Sequence, residues 1–140
     1  MIRRGAWVPR STAFVVVEVS LGWISASYGL NLIFSDPYKR LVTPATLAAI
    51  ESIGSLELFG YLLLAGSVLL ATGIIGRWPI AAAVGHLVMA VVFVSIGVSV
   101  LQVAPLNQVF LVMGLVLHPT MAIALARDVG TAAGNRDLRK

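Results

Sequence analysis

Four long apolar runs, separated by short polar segments, dominate the pattern of hydrophobic and polar positions in this chain. In the run from Leu56 to Ile75, no residue after Glu57 is charged until Arg77 is reached. About 20 helical residues at about 1.5 Å each measure about 30 Å, which is the thickness of the hydrocarbon core of a bilayer. This run therefore predicts a transmembrane helix.

Three similar runs predict three more spans, so the expected fold class is an all-α polytopic membrane protein, a bundle of four transmembrane helices. A basic N-terminal arm is predicted at residues 1–12 and a basic, frayed tail at 127–140. Between them lies the transmembrane domain, residues 13–126, with spans at about 13–34, 56–75, 80–103 and 107–126.

Turn residues predict where the helices begin and end. Thr43-Pro44 is typical of an N-cap followed by proline at the first helical position. The helical pattern then lasts from Ala45 to Ile75, about 31 residues, which is longer than a bilayer requires. We expect its excess, residues 44–55, to lie along the membrane surface or to project from it.

Two further features of the predicted helices involve proline. The segment Gly76-Arg77-Trp78-Pro79 predicts a tight turn, and hence an antiparallel hairpin of the second and third spans. Pro119 lies inside the fourth span, where it removes a backbone hydrogen bond and should kink the helix.

Composition supports the membrane assignment and excludes several functions. The chain is 59% hydrophobic and 11% charged, with a mean hydropathy of +0.95, so it has too few polar side chains to cover a soluble globule. It contains no cysteine, which excludes disulfides, thiolate metal sites and cysteine nucleophiles. It also lacks a serine elbow, a glycine-rich phosphate loop and paired carboxylates. We expect no enzymatic activity of the soluble type and no cofactor.

The net charge of +4 is better explained by the orientation of the chain in a membrane than by nucleic-acid binding, because the basic residues lie at the termini and in loops. Eight of the ten Lys and Arg residues fall on one side of the predicted bundle, and only Lys39 and Arg40 fall on the other. By the positive-inside rule, both termini are cytoplasmic. The predicted location is the cytoplasmic membrane, and the predicted partners are the bilayer and either further copies of the chain or another membrane protein.

Three ionisable residues lie well inside the predicted spans, where such residues are costly and often functional. Counted at about 1.5 Å per residue, Glu18, His86 and His118 lie about 8 to 12 Å from the cytoplasmic ends of their helices. At one depth they can form a hydrogen-bonded cluster, a protonation switch or a proton relay. The alternative is three isolated polar groups, with Glu18 snorkelling or paired with a nearby arginine. Their spacing does not predict a metal site.

Two other groups of residues stand out by their positions in the predicted helices. A second polar level is expected near the outer surface, comprising Asn31, Glu57 and Gln102. Small residues at helical spacing predict close helix contacts, because lipid offers no hydrophobic drive for helix association. The predicted packing residues are Gly22, Ala26, Gly60, Ser67, Ala71 and Gly85.

The run from Glu57-x-x-Gly60 through LLLAGSVLLATGIIGRWPIAAA extends from the second predicted span, across the basic turn, into the start of the third. This segment resembles the DoxX-like small four-helix membrane proteins, in which an acidic residue and a glycine open the second helix and a basic turn leads into an alanine-rich third. The resemblance implies an accessory or partner-binding role in a membrane redox or transport complex.

The layout of the whole chain is a basic arm, four spans, a short helix opened by Thr43-Pro44 and a basic tail. It is similar to the four-span, holin-like membrane proteins of actinobacterial phage lysis cassettes. That resemblance implies oligomerisation in the cytoplasmic membrane through small-residue faces, followed by loss of the permeability barrier. The holin-like function is the first expectation and the DoxX-like accessory role the alternative.

Overall fold

The computed structural model of the protein describes residues 11–34, 43–101 and 109–137, with the backbone alone at 46, 47 and 128–137. All regular elements in these ranges are helical. They are α1 (Thr12–Phe34), α2 (Pro44–Glu51), α3 (Leu56–Ile75), α4 (Pro79–Leu101), α5 (Val109–Val112), a π-helical turn (Met113–Leu117) and α6 (His118–Asp137).

Four helical segments are long and apolar enough to cross a membrane, namely Thr12–Phe34, Leu56–Ile75, Pro79–Leu101 and Val109–Arg127. The predicted all-α fold with four transmembrane helices is therefore confirmed. Helix α3 packs between α1 and α4, and α4 also packs against α5, the π-helical turn and α6. Helix α4 is the most enclosed span and α1 the least. Among the fully buried core side chains are Leu63, Leu70, Met89 and Phe93.

The segment before α3 differs from the continuous helical pattern expected from Ala45 to Ile75. Helix α2 begins at Pro44, as predicted, but it ends at Glu51, and α3 begins separately at Leu56. Ser55 is the N-cap of α3, and its hydroxyl accepts a hydrogen bond of 3.1 Å from the amide of Leu58. This cap explains why a new helix starts here.

The turn between α3 and α4 is tight, as predicted, but arginine rather than glycine takes its left-handed position. Gly76 is right-handed with a φ of −77°, whereas Arg77 has a φ of 54°. The amide of Trp78 donates to the carbonyl of Gly73 at 2.8 Å, and that of Arg77 to Ile74 at 3.3 Å. These two bonds form a Schellman motif, which usually has glycine at the left-handed residue.

The fourth span departs from regular α-helix next to Pro119. The five residues Met113–Leu117 form a π-helical turn immediately before His118 and Pro119, and the amide of His118 donates to the carbonyl of Met113. Because Pro119 has no N–H, it cannot donate the backbone hydrogen bond of a regular α-helix at this point. The wider π-helical turn lies where the α-helical hydrogen bonding is interrupted in this way. The helix also continues to Asp137, whereas the sequence predicted a frayed tail from residue 127. No proline follows Pro119 in the sequence, and proline is the residue that most strongly interrupts a helix.

Glycines bring the helix backbones into close contact at several seams, two of which involve α3. At the α3–α4 seam, a Cβ on Gly85 would lie 2.6 Å from the carbonyl oxygen of Gly66, and a Cβ on Gly73 would collide with the amide of Ala82. At the α1–α3 seam, a Cβ on Gly60 would lie 2.8 Å from the carbonyl oxygen of Gly29. These positions require the absence of a side chain.

The other predicted packing residues divide into two groups. Ser67 donates a hydrogen bond of 3.2 Å to the carbonyl of Gly22, which joins α3 to α1. Ala26 is half-buried and Ala71 is exposed. Both line an open apolar groove between α1 and α3 of about 450 Å³. Ala71 is therefore not a buried contact within one chain, because its side of α3 faces outward.

Candidate functional site

Three helices each bring one ionisable side chain to a single point in the bundle interior. Glu18 on α1, His86 on α4 and His118 on α6 are all 0% exposed. The Nδ1 atoms of His86 and His118 are 2.9 Å apart, a hydrogen-bond distance. The Nε2 atom of His86 is 4.0 Å from Oε1 of Glu18, which is within ion-pair range but longer than a direct hydrogen bond. The structure thus brings together the three residues of the predicted cluster.

Each side chain is directed inward by the helix that carries it. The buried residues of α1 are Glu18, Leu21, Ser25, Gly29 and Leu32. Their spacing of three and four residues is that of one helix face. Glu18 therefore belongs to the stripe that faces the other helices, and snorkelling to the membrane surface does not describe its position.

His118 is held by the residues around it. His118 follows the π-helical turn directly, and such turns are frequent at functional sites. The ring of Phe93 is stacked on the ring of His118, with 5.4 Å between centroids and 9° between planes. Tyr28 makes edge contacts with Phe93 and Phe110 at centroid distances of 6.2 and 5.5 Å. This aromatic packing closes one side of the cluster.

Ser25 belongs to the same site, although its role was not predicted from the sequence. Its Oγ is 3.5 Å from Nε2 of His118 and donates to the carbonyl of Leu21 at 2.8 Å. Ser25 lies seven residues after Glu18, which is two helical turns and hence the same face. That spacing was a signal for Ser25, but a serine in a membrane helix also commonly bonds to its own backbone, so the signal is weak.

The predicted outer polar level is not brought together in the described residues. Asn31 is half-buried, and Glu57 is exposed in the first turn of α3, where the helix dipole favours a carboxylate. Gln102 lies outside the described residues.

The arrangement suits proton chemistry better than metal binding. Imidazoles and a carboxylate in contact can exchange protons along their hydrogen bonds. In the described part of the chain, no group of three or more His, Asp or Glu residues is arranged to hold a metal ion. The expectations of no metal, no cofactor and no enzymatic activity stay predictions.

No family model, no curated protein and no solved structure matches this chain. The fold and the site therefore define its class without the help of relatives. It is a small, multi-pass, all-α membrane protein, and its bundle interior contains a cluster of one carboxylate and two histidines.

Proposed function

We propose that this protein is an accessory subunit of a membrane redox or transport complex, the role that the DoxX-like resemblance implies. One observation carries the proposal: the ionisable side chains deep in the described spans are enclosed within a single chain. A water-filled lesion needs polar side chains along its wall. The outward faces of the spans consist mainly of exposed apolar residues, such as Val68, Val91 and Leu115.

The ionisable side chains that are exposed on the described spans lie near helix ends. Glu57 and Tyr61 are in the first two turns of α3, and Arg127 is the last residue of the fourth span. These positions correspond to the membrane interface, where charged and amphipathic side chains are common. They provide no polar stripe along the length of a helix, which supports a role that leaves the membrane intact.

A holin-like function is the second candidate, and the groove between α1 and α3 favours it. The groove exposes small residues, among them Ala71, on an outward face. Small residues allow helices from separate chains to approach closely, and self-association is the first step that a holin-like protein requires.

Expression of the chain alone in a bacterial host, followed with a membrane-potential dye, separates the two functions. An accessory subunit leaves membrane potential and growth normal at high expression. Rapid depolarisation, or lysis only when an endolysin is co-expressed, would overturn the proposal. A C-terminal reporter fusion measures the amount of protein in the membrane, so that a normal potential is not mistaken for poor expression. Neighbouring genes add a second criterion: an endolysin favours the holin-like function, and respiratory or thiol-redox genes favour the accessory role.

We also propose that the protein lies in the cytoplasmic membrane with both termini in the cytoplasm. The support is the distribution of Lys and Arg, eight on one side of the bundle and two on the other. Reporter fusions at Lys39, Arg77 and Lys140 test it, with Lys39 expected outside and the other two inside. A fusion at Arg77 that reports outside, or at Lys39 that reports inside, contradicts the orientation.

A further inference from the structure

We propose that the groove between α1 and α3 binds one anionic phospholipid, with an acyl chain in the groove and the headgroup phosphate at Arg77. The inference does not depend on the accessory role, because it rests on the shape of the groove and on the charge at one end of it. The lipid belongs to the leaflet at the α3–α4 turn, which is the cytoplasmic leaflet in the orientation proposed above.

The groove presents an apolar surface between two spans. Its small lining residues, which leave space between the helices, are Gly22, Ala26, Ser67 and Ala71. Large lining residues beside them project outward, since Trp23 is 75% exposed and Ile75 is 83% exposed. The hydroxyl of Ser67 already donates to backbone carbonyls, at 2.8 Å to Leu63 and 3.2 Å to Gly22. A hydrocarbon chain, which needs no hydrogen bond, therefore suits this surface.

The length of the groove matches one leaflet of a bilayer. On α3 its lining extends from Leu64 to Ile75, eleven residues apart or about 17 Å along the helix. Half of the hydrocarbon core of a bilayer is about 15 Å. Leu64 lies near the middle of α3 (Leu56–Ile75) and Ile75 is its last residue, so the groove runs from the bilayer centre to the membrane surface.

The groove is closed at the end near the bilayer centre. There a Cβ on Gly29 would lie 3.2 Å from Cγ of Leu64, and a Cβ on Gly60 would lie 2.8 Å from the carbonyl oxygen of Gly29. The backbones of α1 and α3 are therefore in contact beyond this point. A chain that enters from the membrane surface ends at this contact, as the acyl chain of a single leaflet does.

The other end of the groove carries a positive charge. Arg77 follows Ile75 by two residues and is exposed, and so is Trp78, which follows it. Arginine and tryptophan are common at the level of the lipid headgroups. A guanidinium can donate two parallel hydrogen bonds to a phosphate, and basic residues beside spans favour anionic lipids. Charge complementarity thus selects an anionic phospholipid over an uncharged apolar ligand.

The backbone of Arg77 gives a second reason to look for a function of its side chain. Its φ of 54° is left-handed, a conformation in which this kind of helix end usually has glycine. A residue other than glycine is strained there, and such strain often accompanies a functional role. Contact between the guanidinium and a lipid phosphate is a role that glycine could not perform.

A second copy of the chain fits the groove less well than a lipid. A transmembrane helix crosses both leaflets, whereas the groove occupies one leaflet and is closed at Gly29 and Gly60. A two-fold dimer with both chains in the same orientation would also place two Arg77 side chains at the same level. Like charges at an interface are unfavourable, so this arrangement opposes the dimer and leaves the lipid as the occupant.

Native mass spectrometry of the unmodified protein, released from detergent micelles, tests the site. The protein is titrated with phosphatidylglycerol, with phosphatidylcholine, or with a short-chain phosphatidylglycerol that has the same headgroup but cannot fill the groove. We expect one phosphatidylglycerol per chain, retained about fivefold more than phosphatidylcholine because one arginine acts on the anionic headgroup. The short-chain lipid should be retained less than the long one. Equal retention of phosphatidylglycerol and either of the other lipids would overturn the proposal.

Two matched leucine variants test the groove itself. Ala71→Leu places a large side chain in the groove lining and should lose the retained phosphatidylglycerol. Thr72→Leu is the control, since Thr72 is exposed on the same helix and lies outside that lining. It should retain the lipid. Equal retention by the two variants would contradict the site, and a lipid-free dimer that only Ala71→Leu abolishes would assign the groove to a second copy of the chain.

Two substitutions of Arg77 test the headgroup contact. Arg77→Gln removes the charge and should abolish the roughly fivefold preference for phosphatidylglycerol over phosphatidylcholine. Arg77→Lys keeps the charge and should retain most of that preference. An unchanged preference in Arg77→Gln would overturn the assignment of the phosphate to Arg77.

Discussion

The α3–α4 seam and the polar cluster are built in opposite ways. At the seam, Gly66 and Gly85 bring two backbones together because neither has a side chain. At the cluster, α1 meets α4 and α6 through the long side chains of Glu18, His86 and His118. We therefore expect the seam to be sensitive to added volume and the cluster to be sensitive to the loss of a polar group. Packing and polarity thus make separate demands on one small bundle.

Gly85→Ala should have the largest effect, because the new Cβ would lie 2.6 Å from the carbonyl oxygen of Gly66 and 2.8 Å from the amide nitrogen of Leu70. Both obstacles are backbone atoms, so the helices must separate, and we expect a loss of about 3 kcal/mol of stability. Denaturant titration in detergent micelles measures it. Gly22→Ala is the control, since its Cβ would meet only the flexible Cδ2 of Leu70 at 3.0 Å, and it should cost less than about 1 kcal/mol. Equal losses would refute this account of the seam.

Glu18→Ala should follow, with a loss of about 2 kcal/mol, because it removes a fully buried partner of His86. The same denaturant titration applies. Glu57→Ala is the matched control: this glutamate is exposed in the first turn of α3, where its interaction with the helix dipole is worth about 0.5 kcal/mol. If Glu57→Ala and Glu18→Ala lose the same stability, burial of the glutamate does not account for the effect.

Ser67→Ala should have a smaller effect. It removes the hydrogen bond of 3.2 Å from Ser67 to the carbonyl of Gly22, and interhelical bonds of this kind contribute about 0.6 kcal/mol in membrane proteins. The control is Ser95→Ala, whose hydroxyl donates at 2.9 Å to Val91 within its own helix. We expect the control to leave helix association unchanged in the unfolding assay. A larger loss for Ser95→Ala would show that bonds within a helix matter more than bonds between helices.

Arg77→Gly should produce a small gain. Arg77 has a φ of 54°, which glycine adopts without steric cost, and after the entropy that glycine loses on folding we expect a gain of about 0.5 kcal/mol. Arg77→Ala retains the side-chain penalty and should not show the gain, so the difference between the two variants isolates backbone conformation from charge. A gain with alanine as well would assign the effect to removal of the arginine side chain.

The sequence by itself determined the features that depend on distance along a helix. The lengths of the apolar runs gave four spans, and proline and glycine marked the start of α2 at Pro44 and the end of α3 at Gly76. The depths of Glu18, His86 and His118 follow from counting residues, because the rise per residue is constant. These quantities are linear in residue number and need no knowledge of the neighbouring helices.

Only the tertiary structure decided which way each side chain faces. The rotation of a helix about its axis depends on how its whole surface packs against its neighbours, so equal depth did not establish that Glu18 and the histidines meet. It also did not reveal that Ser25 joins them, or that Ala71 faces outward. The π-helical turn before His118 adds a local change in rotation that a regular 3.6-residue period cannot predict. The depth of a side chain in the bundle can therefore be predicted from the sequence, whereas the residues that it contacts at that depth depend on helix packing.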